Sequence, residues 1–110
     1  MKMSFRSSRD VIIRTSDFAG AVRFYETHMG FPVAYRSADL VGFETGSFKL
    51  YVERGATHAP VFDMLVADVG VAKADMLKAG CRLIEEDNAQ PRCYIQDPYG
   101  MTFNIGRLAG

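Results

Sequence analysis

Two segments of the chain carry the same punctuation. Each opens on an acid, Asp17 (or Ser16 just before it) and Asp68, and each closes on a glycine, Gly30 and Gly80. In the first segment Phe18, Val22, Tyr25 and Met29 share one helical face, and in the second Val69, Ala72, Met76 and Ala79 do. A short oxygen-bearing side chain ahead of such a face caps the free N–H groups of a helix start. A glycine past its end accepts the left-handed backbone that stops a helix. The two aspartates stand 51 residues apart in a chain of 110. A period of nearly half the chain means two similar modules, each too small to bury a core without its counterpart.

Runs of strand character surround both helices. Residues 11–15 precede the first, and residues 33–36, 40–44 and 48–53 follow it. Residues 62–66 precede the second, and residues 82–85, 92–96 and 101–106 follow it, with QDPYGM supplying a tight turn before the last run. Each half therefore reads βαβββ. The expectation is a single α+β domain over 1–110: module one at about 10–53, a linker RGATHAP at 54–60, and module two at about 61–107.

Composition excludes several classes. Thirteen basic and thirteen acidic side chains cancel, so no broad cationic surface points to nucleic acid or anionic lipid. No run of eighteen apolar residues occurs, and MKMSFRSSR has no signal-like apolar stretch, which leads to the expectation of a cytoplasmic protein with no membrane partner. Cys81 and Cys93 lack CxxC spacing and read as reduced core residues. His28 reads as a surface residue near a helix end, and His58 lies in the linker.

Paired βαβββ halves, the stretch DFAGAVRFYETHMGF from Asp17 to Phe31, and DPYGMTFNI from Asp97 to Ile105 together resemble the vicinal oxygen chelate superfamily. That superfamily includes glyoxalase I, extradiol dioxygenases and bleomycin-resistance proteins. The resemblance implies curved mixed sheets around a cleft. In metal-using members, each module offers one ligand from its first strand and one from its last. Counting back seven from each cap puts the first-strand positions at Asp10 and Val61, and the last-strand positions are expected at Glu53 and Asn104, again linked by 51 residues. Valine has no donor atom and asparagine only a neutral amide oxygen, so no metal is expected.

Strand alternation sends Val11, Ile13, Leu50, Val52, Phe103 and Ile105 toward the helices. The opposite face gathers the candidate ligand-binding residues Asp10, Ile12, Arg14, Tyr51, Glu53, Asp63, Arg92, Tyr94 and Asn104, with Val61, Leu65 and Thr102 between them. Aromatic walls with a few polar points suit a small-molecule site. The expected function is metal-free binding of a small molecule, as in the bleomycin-resistance branch. The alternative is a glyoxalase- or dioxygenase-type enzyme in which a divalent metal polarises a substrate oxygen and Glu53 moves a proton. A two-fold homodimer is expected, because Phe5, Phe31, Phe43, Phe48 and Phe62 are many aromatics for a small domain, and some should lie at an interface.

Overall fold

The computed structural model describes residues 4–89 and 91–109. Its elements run β1 (Arg6–Thr15), α1 (Phe18–Arg23), a π-helical turn (Phe24–His28), β2 (Val33–Arg36), β3 (Leu40–Glu44) and β4 (Lys49–Arg54), followed by β5 (His58–Val66), α2 (Val69–Lys78), β6 (Arg82–Asp87), β7 (Arg92–Gln96) and β8 (Thr102–Arg107). The class is α+β. Two compact units divide the chain: the first is Arg9–Pro60, and the second takes residues 61–109 together with residues 4–8. The strand starts differ from expectation. β1 begins at Arg6, and β5 begins at His58, inside the segment read as a linker.

In the first unit the strands lie in the order β2-β3-β4-β1. β1 and β4 run parallel, with Asp10 opposite Lys49, Ile12 opposite Tyr51 and Arg14 opposite Glu53. Parallel neighbours need a crossover, and here α1 and two antiparallel strands supply it. One sheet face packs against α1, where Phe18 and Val22 meet Val41, Phe43, Leu50 and Val52, with Val11 and Ile13 at the margin. The Arg54 guanidinium lies over the Phe18 ring at 4.5 Å and covers the helix start.

The second unit repeats the plan in the order β5-β8-β7-β6, with β5 and β8 parallel. Val66, Ala72, Cys93, Ile95, Phe103 and Ile105 form its core, and Phe5 meets Phe103 edge to face at 6.0 Å. The alternation read from sequence thus places the core residues of both units on the helix side. Cys93 is buried and Cys81 half-buried, and both thiols are free. Among the described residues no helix is long and apolar enough to cross a membrane.

The first helix departs from the regular one expected over 17–30. Its α-helical part ends at Arg23, and the Met29 N–H then reaches back five residues to the Phe24 carbonyl at 3.1 Å. This wider turn brings Tyr25 into a stack on Phe31, with ring centroids 6.4 Å apart, and both rings lie against Phe43. Phe43 is completely buried in the core of its own unit. Gly30 and Gly80, at φ of 70° and 103°, stop the two helical segments as their positions suggested.

Both caps form as read: the Asp17 carboxylate accepts the Gly20 N–H, and that of Asp68 accepts the Val71 N–H, each at 3.1 Å. Asp68→Ala should therefore cost about 1 kcal/mol, read as a lower urea midpoint at unchanged slope, while Asp68→Asn stays near the parent. An unchanged midpoint in Asp68→Ala would show that the cap is idle.

Candidate functional site

Strand register arranges the helix-free face of each unit as a ladder of rungs, each made of residues facing one another across four strands. The central rung of the first unit is Ile12, Tyr51, Gly42 and Tyr35. The corresponding rung of the second unit is Asp63, Asn104, Tyr94 and Glu85. Ile12 and Asp63 both stand five residues before their helix caps, so the two rungs are equivalent in the repeat. One is apolar and aromatic, and the other is polar and hydrogen-bonded.

This register corrects the expected pairing of Glu53 with Asn104. Asn104 lies opposite Asp63, and the residue in that place in the first unit is Tyr51, opposite Ile12. Glu53 sits one rung further on, opposite Arg14, and its counterpart is Gly106, opposite Leu65. The repeat offset is 51 at the caps and 53 at the last strands, because the hairpin connections differ in length between the halves.

Each rung has a distinct chemistry. In the first unit the Arg14 Nε donates to the Glu53 Oε1 at 2.8 Å, and the side chains are only 12% and 22% exposed. Beside them Tyr51 lays its ring over β3 at Gly42, where a Cβ would come within 2.7 Å of the ring carbon Cε1. Gly42 is therefore the residue that lets the ring lie flat on the sheet. Burial pushes the Tyr51 hydroxyl above its ordinary pKa, and the nearby Asp10 and Tyr35 push it further. Asp10 itself is half-buried at the start of the ladder, opposite Lys49.

In the second unit Asn104 acts as a connector. Its Oδ1 accepts the Cys93 N–H at 2.8 Å, and its Nδ2 donates to the Asp63 Oδ1 at 2.9 Å. Arg92 pairs with Glu85 at 2.8 Å and lies 5.5 Å from the centroid of the buried Tyr94 ring. Tyr35, Gly42 and Glu85 join these rungs without having been singled out in the sequence. Only Gly42 carried a signal, being a glycine inside the apolar run Leu40–Glu44.

The donors within each unit do not fit a shared cation. Asp10 and Glu53 lie on the right face but four residues apart along parallel strands, a backbone separation of roughly 13 Å at ~3.3 Å per residue, and Glu53 is paired with Arg14. Val61 is buried and has no donor, and the Asn104 amide oxygen is already an acceptor. Among the described residues no three of His, Cys, Asp and Glu gather closely enough to hold a metal ion.

Two βαβββ units with a polar, aromatic, helix-free face define the glyoxalase-type class of small α+β proteins. The chain matches the model of the glyoxalase-like domain family over residues 10–106, and it belongs to that family. Among solved structures it resembles a hypothetical protein from Bacillus halodurans, with a TM-score of 0.67, 10% identity, and coverage of 97% of this chain and 96% of that one. It also resembles a protein described as NAD-dependent benzaldehyde dehydrogenase from Legionella pneumophila, with a TM-score of 0.68, 13% identity, and coverage of 91% and 98%. Homoprotocatechuate 2,3-dioxygenase from Brevibacterium fuscum, in complex with 3,4-dihydroxyphenylacetate, matches with a TM-score of 0.65 and 19% identity; the match covers 96% of this chain and 37% of the dioxygenase. At these identities the likeness is one of fold. No relative was found among curated proteins.

The raised Tyr51 hydroxyl yields a direct test. A folded-state value above the unfolded one means that this stabilisation is complete below the unfolded value and fades as pH rises through the folded one. Phenolate absorbance of the parent minus that of Tyr51→Phe should titrate with a midpoint above that of free tyrosine. A midpoint at or below the free value would contradict the packing of this ring.

Proposed function

We propose that the chain binds a small molecule on the helix-free face of its sheets and does so without a metal, in the manner of bleomycin-resistance-type members of the family. The observation that carries this reading is the chemistry at the family's ligand positions. Val61 offers no donor, the Asn104 amide accepts from Cys93 and donates to Asp63, and Asp10 and Glu53 lie two rungs apart.

What the face does offer is suited to recognition. Arg92 sets a guanidinium next to the Tyr94 ring, with Glu85 pairing it, and Arg14, paired with Glu53, stands one rung from Tyr51. A planar ligand with an acidic or hydroxyl group can stack on a ring and accept from the neighbouring guanidinium. The competing reading makes Glu53 a proton carrier beside a divalent ion. Against it stands the Arg14 Nε, which donates to the Glu53 Oε1 at 2.8 Å and engages one of the two carboxylate oxygens. The same proposal has the protein acting in the cytoplasm with reduced thiols, as a homodimer, with no nucleic-acid or membrane partner. Of Phe5, Phe31, Phe43, Phe48 and Phe62, the exposed ones are Phe48 and Phe62, at 39% and 42%.

Ligand-observed NMR against a mixed library of small aromatic acids, phenols and neutral planar compounds, run in excess EDTA, tests the reading. Binders should persist in EDTA, and Arg92→Met should weaken them by about tenfold or more, the effect of losing a charge-assisted hydrogen bond. Binding that vanishes in EDTA and returns with a divalent ion would overturn it.

A further inference from the structure

The helix side of the second unit holds a cleft that the family's usual face does not involve. It lies between the C-terminal part of α2, β8 and the turn that follows β7, with a volume of about 310 Å³. Phe5 and Phe103 form one wall, and the thioethers of Met64, Met76 and Met101 line the rest together with the Cys81 thiol. The lining residues include one carboxylate, Asp97.

Asp97 is held by its own turn. Its Oδ1 accepts the Tyr99 N–H at 2.8 Å and the Met101 N–H at 3.0 Å, and the Asp97 N–H donates to the Met101 carbonyl at 3.0 Å. The turn asks only for an acceptor oxygen at this position, which an asparagine would supply equally well. The negative charge is surplus to that duty and stands against an apolar cleft. Its field is felt inside: burial first, and then the charge of Asp97, hold the Cys81 thiol above its ordinary pKa. The thiol therefore stays a neutral, polarisable wall group.

We propose that this cleft binds a small lipophilic monocation, with one aromatic or branched aliphatic body against the thioethers and rings and one ammonium-type charge against Asp97. A volume of about 310 Å³ is at the lower end of small-molecule sites and suits a single ring with a short arm. Methionine side chains adapt to irregular apolar shapes, and aromatic rings add attraction for a cation that a neutral or anionic ligand of the same size does not receive. Charge complementarity selects the class, because an anion placed here would meet Asp97 with no basic residue among the described lining residues to offset it. This proposal stands apart from the reading of the helix-free face and survives its failure.

The full chain labelled with 13C at the methionine methyls reports on the cleft directly, using 2-phenylethylammonium, 2-phenylethanol and 3-phenylpropanoate as probes of one shape and three charges. The ammonium should move the Met64, Met76 and Met101 methyl signals, leave Met29 in place, and bind about tenfold more tightly than the alcohol, with the carboxylate weakest. Asp97→Asn should keep the turn and remove the preference, so that ammonium and alcohol bind alike. Met76→Trp, which fills the cleft, should lose both. Equal binding of the three probes, no binding of the ammonium, shifts confined to other methionines, or a charge preference that survives Asp97→Asn would each overturn the proposal. If Asp97→Asn does not fold, the three-probe comparison on the parent chain decides alone.

Discussion

Parallel pairing between the first and last strand of each half is the constraint from which the rest follows. Once β4 lies beside β1, and β8 beside β5, the intervening chain must cross over, and each crossover contains one helix. That helix covers one face of its four strands and leaves the other bare. The covered face takes the alternating apolar residues, such as Leu50 and Val52 or Phe103 and Ile105. The bare face takes whatever stands between them, and there the two halves have diverged.

The divergence is clearest at the equivalent rungs. Ile12, Tyr51, Gly42 and Tyr35 make a surface of aromatic carbon, with a glycine in the middle because a ring lies on top of it. Asp63, Asn104, Tyr94 and Glu85 make a chain of polar groups in which Asn104 is bonded on both sides. A part-buried polar network of this kind is costly unless satisfied, and here Asn104 both accepts and donates within the sheet. An amide engaged in this way is a structural tie between β5, β7 and β8. The fold is shared with the glyoxalase-like domain family.

Much of the fold was legible because its signals are local. Asp17, Asp68, Gly30 and Gly80 each act within a single helical turn, and the alternation of Val11 and Ile13 or Leu50 and Val52 is visible in a few residues. Register was not legible. A strand has a period of two, so a slip of two residues keeps every side chain on its face while moving it to another rung. The sequence pattern accordingly places Glu53 on the correct face but one rung from the counterpart of Asn104, which is Tyr51. The irregularities at Val33/Tyr35 and Leu83/Glu85 that shape the ends of both central rungs leave no mark in the pattern. The π-helical turn was hidden for a similar reason, since Tyr25 and Met29 fit a regular helix in sequence and only the stack with Phe31 and Phe43 shows the wider turn.

On the function proposed above, this family member would recognise a ligand through side chains alone. Elemental analysis of protein expressed with supplemented zinc, nickel, iron and manganese, then mildly dialysed, bears on it most directly when the parent and Glu53→Gln are compared. The account predicts far less than one equivalent of any of these metals per chain, with no difference between the two proteins. One retained equivalent in the parent that disappears in Glu53→Gln would contradict it and return Glu53 to the centre of a metal-dependent reaction.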